Sequence, residues 1–129
     1  MNEGDSGPDD DAEARLRAVV ESIGGHARSA NLARADRLSE ALAEVAAGAL
    51  DESDRRRATD IAHQLVGSAG TFGFPGASQL AGEIERYFVE ADLADPVRLA
   101  TARDQVRRVQ EELATGSGYQ LDDEPDPTS

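Results

Sequence analysis

The chain has no cysteine, no tryptophan and one methionine in 129 residues. Without cysteine it can build neither a disulfide framework nor a thiolate metal site. That fits a reducing compartment, and the expected location is the cytoplasm. Long apolar runs are also missing. The longest are far too short to span a bilayer, so no membrane partner is expected. The opening Met1-Asn2-Glu3-Gly4-Asp5 has neither the basic start nor the apolar stretch of a signal peptide. Aromatic residues make up only 4% of the chain. Runs of valine, isoleucine and aromatics with period two are absent, which argues against a sheet. Lysine is absent as well, and all 13 basic residues are arginine against 26 acidic ones. A net charge of −13 repels phosphate backbones, so nucleic acid is not expected as a partner.

What is present is organised around acidic ends. Residues 1–10 and 115–129 hold eight carboxylates and no arginine, and removing those eight from −13 leaves −5 on residues 11–114. Both ends are rich in Gly, Asp, Pro or Ser and read as disordered. The segment 11–114 is long enough for one domain with a modest core.

Within it the spacing predicts five helices. The first covers 11–23, with Leu16, Val19, Val20 and Ile23 as its apolar stripe and Gly24-Gly25 as its stop. The second covers 31–47, with Asn31 as a plausible N-cap and Gly48 after it. The third runs over 52–72, capped by Asp51 or Ser53, with Ala58, Ile61, Ala62, Leu65, Ala69 and Phe72 facing inward and Gly73 as C-cap. Pro75 suits the first turn of the fourth, which carries Leu80, Ala81, Ile84, Tyr87, Phe88 and Ala91 inward. The fifth opens after Asp95-Pro96 and carries Leu99, Ala102, Val106, Val109 and Leu113 to about residue 114. Amphipathic helices of this length joined by short loops pack as an antiparallel up-down bundle. The expected fold is all-α: a four-helix bundle with an additional short N-terminal helix leaning across one end. Phe72, Phe74, Tyr87 and Phe88 read as core.

The third helix carries the chemistry. At 100° per residue, His63 lies about 200° from both Ile61 and Leu65, so it points outward. The same face holds Arg56, Thr59, Asp60, Val66, Gly67 and Gly70. A mid-helix glycine costs about 1 kcal/mol relative to alanine, so bare backbone at Gly67 has a use. It strips bulk from the surface beside the His63 imidazole, where a large partner could approach. An exposed imidazole is partly neutral near pH 7 and nucleophilic.

The run Ala62-His63-Gln64-Leu65-Val66-Gly67-Ser68-Ala69-Gly70, continuing Thr71-Phe72-Gly73, resembles the signature of histidine-containing phosphotransfer (HPt) domains. That pattern is Ala-His-x-Leu-Lys-Gly-Ser-Ala, with a glycine near the helix end. The resemblance implies an up-down four-helix bundle with an extra N-terminal helix. It implies that His63 is the phosphoacceptor, exchanging a phosphoryl group with the aspartate of a response-regulator receiver domain. The partners implied are that receiver, a hybrid sensor histidine kinase, or both. The chain would be a phosphohistidine carrier rather than a kinase with its own nucleotide site. No Walker-type or kinase glycine loop occurs. No cofactor of its own is expected, since in the family Mg²⁺ sits on the receiver. Thr59, Asp60, Gln64, Val66, Gly67 and Gly70 would form the docking face, and a monomer is expected.

One position departs from the family. Val66 stands where lysine is common, removing a cation one turn from the histidine. Arg56 lies two turns earlier and leans away from His63, so it is a poor substitute. If the hairpin pivots near Phe74, position 63 sits level with about 85, which brings Glu85 and Arg86 alongside. Val66 also motivates an alternative: a non-transferring adaptor that binds receivers through the same face. His26 reads as a loop histidine without a task. The two histidines are too far apart, and too poorly patterned, for a metal site.

Overall fold

The computed structural model describes residues 7–90 and 92–116. It contains four helices: α1 (Gly7–Ala46), α2 (Glu52–Thr71), α3 (Pro75–Glu90) and α4 (Pro96–Thr115). No strand occurs among the described residues. Each helix packs on its neighbours in sequence, and α4 returns to α1, closing a square without diagonal contacts. This is the up-down four-helix bundle expected from short loops between amphipathic helices.

The helix ends follow from local chemistry. Asp51 caps α2, its side chain accepting from the Asp54 amide at 2.7 Å while Asp54 accepts in return from the Asp51 amide. Such a reciprocal pair satisfies two amides that the first turn leaves without partners. Asp95 caps α4 and Pro96 follows at its first position. Gly48 (φ 72°) ends α1 and Gly73 (φ 92°) follows α2. At the second site the Phe74 amide reaches the Ala69 carbonyl at 2.8 Å and the Gly73 amide that of Gly70 at 3.5 Å. A left-handed residue is needed to aim both amides back, and glycine takes that conformation without cost.

The core is one cluster. Leu38 and Leu42 of α1, Leu65 of α2, Ile84 and Phe88 of α3, and Val106, Val109 and Leu113 of α4 are its larger members, each at most 2% exposed. The rings of Tyr87 and Phe88 meet edge to face at 5.1 Å. Phe74 is buried with them, whereas Phe72 is only half-buried. The Tyr87 hydroxyl donates to the Leu93 carbonyl at 2.7 Å. Burial pushes its phenol above the ordinary value of 10.0, with nearby Arg55 opposing the rise.

The amino-terminal region departs from expectation. The two helices expected at 11–23 and 31–47 are one helix of 40 residues. Gly24 and Gly25 do not stop it, because neither adopts positive φ. A glycine in a helix costs stability, but a stop also needs a left-handed turn or a proline, and the chain supplies neither there. Two consequences follow. Asn31 is not a cap: it lies fully buried within α1, donating to Ser68 Oγ at 3.1 Å and accepting from Arg34 at 2.7 Å. His26 is helical and exposed, not in a loop. The N-terminal half of α1 does not lean across the bundle but runs past it. Arg28 marks the edge, donating to the Gly116 carbonyl at the end of α4 at 2.9 Å.

Of the residues expected to be disordered, 1–6 and 117–129 lie outside the described residues, as does Ala91. Helix α1 already begins at Gly7 and α4 ends at Thr115. No helix among the described residues is long and apolar enough to cross a membrane.

Candidate functional site

The α2–α3 hairpin sets the geometry around His63. Gly70 faces Ser78, Val66 faces Gly82 and His63 faces Glu85, in equal steps either side of Phe74. The pivot expected from the loop is therefore the one found. The Ser78 hydroxyl locks this register by donating to the Val66 carbonyl at 2.7 Å.

His63 sits midway along α2, on the side away from Leu65 and Ala69. Its side chain is 74% exposed, and its Nδ1 lies 3.1 Å from Glu85 Oε2. An ionised carboxylate can only accept, so in the neutral ring this contact holds the proton on Nδ1. The lone pair is then on Nε2, the nitrogen left to solvent. Glu85 is itself mostly covered, its side chain 28% exposed, so the acceptor is held in place.

Gly67 lies one turn on, and a Cβ added there would meet nothing within 4 Å. The surface beside the imidazole is open, as the sequence implies. Asp60 and Gln64 are exposed on either side of His63.

Other residues of the expected docking face sit differently. Val66 is only half-exposed and packs against the core, its Cγ2 meeting α3 at Gly82. Gly70 is backed by Ser78, whose Oγ would lie 3.3 Å from an added Cβ. Thr59 is half-buried and donates to the Arg55 carbonyl at 2.9 Å. The physical reason is shared: α3 packs along the flank of α2 that carries Thr59, Val66 and Gly70, so a face drawn from one helix is too wide. Arg86 is also not beside His63. One residue past Glu85 turns the side chain by about 100°, and Arg86 lines a groove with Glu83, Tyr87, Val97 and Arg98 toward α4.

Two further residues lie on this flank of the bundle, outside the expected face. Val89, one turn after Glu85 on α3, is exposed and lines a groove with Arg56, Thr59 and Asp60. Arg55 reaches across from α2 to donate to the Val89 carbonyl at 3.1 Å, and to that of Phe88, tying the end of α3 to the start of α2. The spacing 78, 82, 85, 89 on α3 carries the signal for Val89, since it is the stripe that meets α2. Arg56 points away, paired with Glu52 at 3.9 Å. No group of three metal-ligating side chains occurs among the described residues.

His63 is thus an exposed imidazole, oriented by a carboxylate and bordered by bare backbone, on the α2–α3 hairpin of a four-helix bundle. The model of the Hpt domain family matches residues 33–116, well over half of the chain, and the chain belongs to that family. Its general role is therefore phosphorelay signalling. No curated protein and no solved structure matches it.

Proposed function

We propose that His63 carries a phosphoryl group in exchange with an aspartate of a response-regulator receiver domain, in the cytoplasm. The observation that carries this reading is the Glu85–His63 contact, which leaves Nε2 facing solvent. The Nε2 lone pair attacks phosphorus as the aspartyl P–O bond breaks. The new bond is N–P, and the electron pair of the old one stays on the aspartyl carboxylate. In-line transfer of this kind depends on positioning and on charge neutralisation. This chain supplies the positioning: a nucleophile fixed on α2, oriented from α3, with room at Gly67 for a docked surface. Mg²⁺ held by the receiver would offset the charge on the phosphoryl oxygens. The chain itself has no lysine to do so.

The same lack shapes the lifetime of the phosphorylated form. Asp60 and Glu85 place negative charge near the ring, and Arg56 is turned toward Glu52. Phosphohistidine here is a transit state that favours onward transfer.

An adaptor that binds receivers without transfer draws its motive from an exposed apolar Val66. With Val66 packed on Gly82, that motive shrinks to Val89. Incubation with a phosphorylated receiver separates the two. Acid-labile label on the wild-type chain, absent from His63→Gln, supports transfer. Binding without label supports the adaptor. Label on His63→Gln refutes the role of His63.

A further inference from the structure

Helix α3 ends without a stop of its own. Glycine lies within two residues of the end of α1, α2 and α4, but residues 91–95 after α3 include none. The last four carbonyls of a helix have no partner inside it. Two of those on α3, at Phe88 and Val89, are taken by Arg55 of α2. Its Nε donates to the Phe88 carbonyl, and its Nη2 donates to the Val89 carbonyl at 3.1 Å. These two N–H groups lie side by side on one edge of a rigid plane. They suit two successive carbonyls as a lysine ammonium does not. The positive charge also sits at the negative end of the α3 dipole.

A second tie runs the other way. The Ser78 hydroxyl of α3 donates to the Val66 carbonyl of α2 at 2.7 Å. The two ties bracket the His63–Glu85 pair. On α2 the order is Arg55, His63, Val66; on α3 it is Ser78, Glu85, then Phe88 and Val89. We propose that Arg55 is a positioning residue for His63: by clasping Phe88 and Val89 it holds Glu85 within hydrogen-bond reach of Nδ1. Arg55 itself lies roughly 12 Å from His63 along α2, so it acts through α3.

A lever arm makes the clasp matter. Without Arg55 the Ser78 tie remains, about 10 Å before Glu85 along α3. A swing of α3 about that point by only about 6° moves Glu85 by roughly 1 Å. His63 Nδ1 and Glu85 Oε2 are 3.1 Å apart, and a further ~1 Å takes them out of hydrogen-bond range. Ile84 and Phe88 stay buried through so small a swing, so the bundle is kept while the orientation of the ring is lost. With Glu85 withdrawn, the proton is no longer held on Nδ1, and the Nε2 lone pair is present in only part of the molecules.

Nitrogen NMR of the full chain, labelled in its histidines and assigned with His63→Gln, tests this. In a neutral ring the shifts distinguish Nδ1–H from Nε2–H, and the wild type is expected to be mainly Nδ1–H. Arg55→Met keeps the stem and removes the donors. It is expected to move the ring toward Nε2–H, and to slow transfer from a saturating phosphorylated receiver by about fivefold. Arg55→Lys keeps the charge and one donor and is expected to fall between the two. Glu85→Ala should match Arg55→Met, and the double variant should be no worse than Glu85→Ala alone, because both changes break the same contact. A cap without this role would lower the melting temperature and leave the tautomer unmoved. That result overturns the proposal, as do additive effects in the double variant. Should Arg55→Met not fold, a wild-type tautomer in Arg55→Lys overturns it. The kinetic arm rests on His63 being the phosphoacceptor, and the tautomer does not. A chain that takes no label while Arg55→Met shifts the ring therefore refutes the transfer reading and supports the positioning one.

Discussion

Substituting Gly67 separates the stability of the helix from its use. Position 67 is inside α2, and an added Cβ meets nothing within 4 Å. Gly67→Ala therefore gains the difference in helix propensity, about 1 kcal/mol, with no clash to oppose it. For a domain of this size that is a rise in Tm of roughly 3–6 °C. Arginine is nearly as good a helix former as alanine, so Gly67→Arg should keep most of the gain. Its effect on transfer is opposite. Helical side chains lean toward the N-terminus, so a long side chain at position 67 falls over the turn that holds His63. It would occupy the space a receiver needs. A tenfold loss of transfer rate, about 1.4 kcal/mol in the barrier, is the least expected. The assay pairs a thermal melt with the rate of label transfer from a phosphorylated receiver. A variant that melts lower, or a Gly67→Arg chain that transfers at the wild-type rate, refutes the reasoning.

Three other substitutions probe neighbouring features. Gly76→Ala drives a Cβ into the Glu112 carboxylate, which accepts from the Ala77 amide at 2.9 Å. Displacing that acceptor strands an amide at the start of α3, and a loss of about 1–2 kcal/mol in chemical denaturation is expected. Glu85→Ala removes the group that selects the Nδ1–H ring, a hydrogen bond worth about 1 kcal/mol, so transfer should slow by about fivefold. Glu85→Gln keeps an acceptor and should recover part of the rate, and a wild-type rate in both variants would rule out the orienting role. Tyr87 sets a pH limit. Its phenol titrates above 10.0 when folded, so between 10.0 and the raised value the unfolded chain releases a proton that the folded chain keeps. Stability is therefore present below pH 10.0 and falls as pH rises through that window. Denaturation midpoints of wild type and Tyr87→Phe against pH check this, and the variant should lack that component of the fall.

Much of the bundle is legible in the chain because its helix ends carry explicit chemistry. Asp51, Gly73, Pro75, Asp95 and Pro96 each do in the structure what their residue type dictates. The hairpin register is legible too, since a short loop around Phe74 leaves one way to pair α2 with α3. That is why Glu85 could be placed beside His63. Two things were not legible. Gly24-Gly25 looks like a stop in isolation, yet a glycine breaks a helix only where something else bends the backbone. The periodicity of α2 alone cannot say which flank of that helix α3 will cover. Val66 and Gly70 consequently lie at a helix–helix contact, and Arg86 turned toward α4 because one residue of phase decides its side.

The most direct measurement is mass mapping of the chain after a single turnover with a phosphorylated receiver, under conditions that preserve N–P bonds. One phosphoryl group is expected, on His63, released by acid and absent from His63→Gln. No phosphoryl group with an active receiver, or one carried on any other residue, would contradict it.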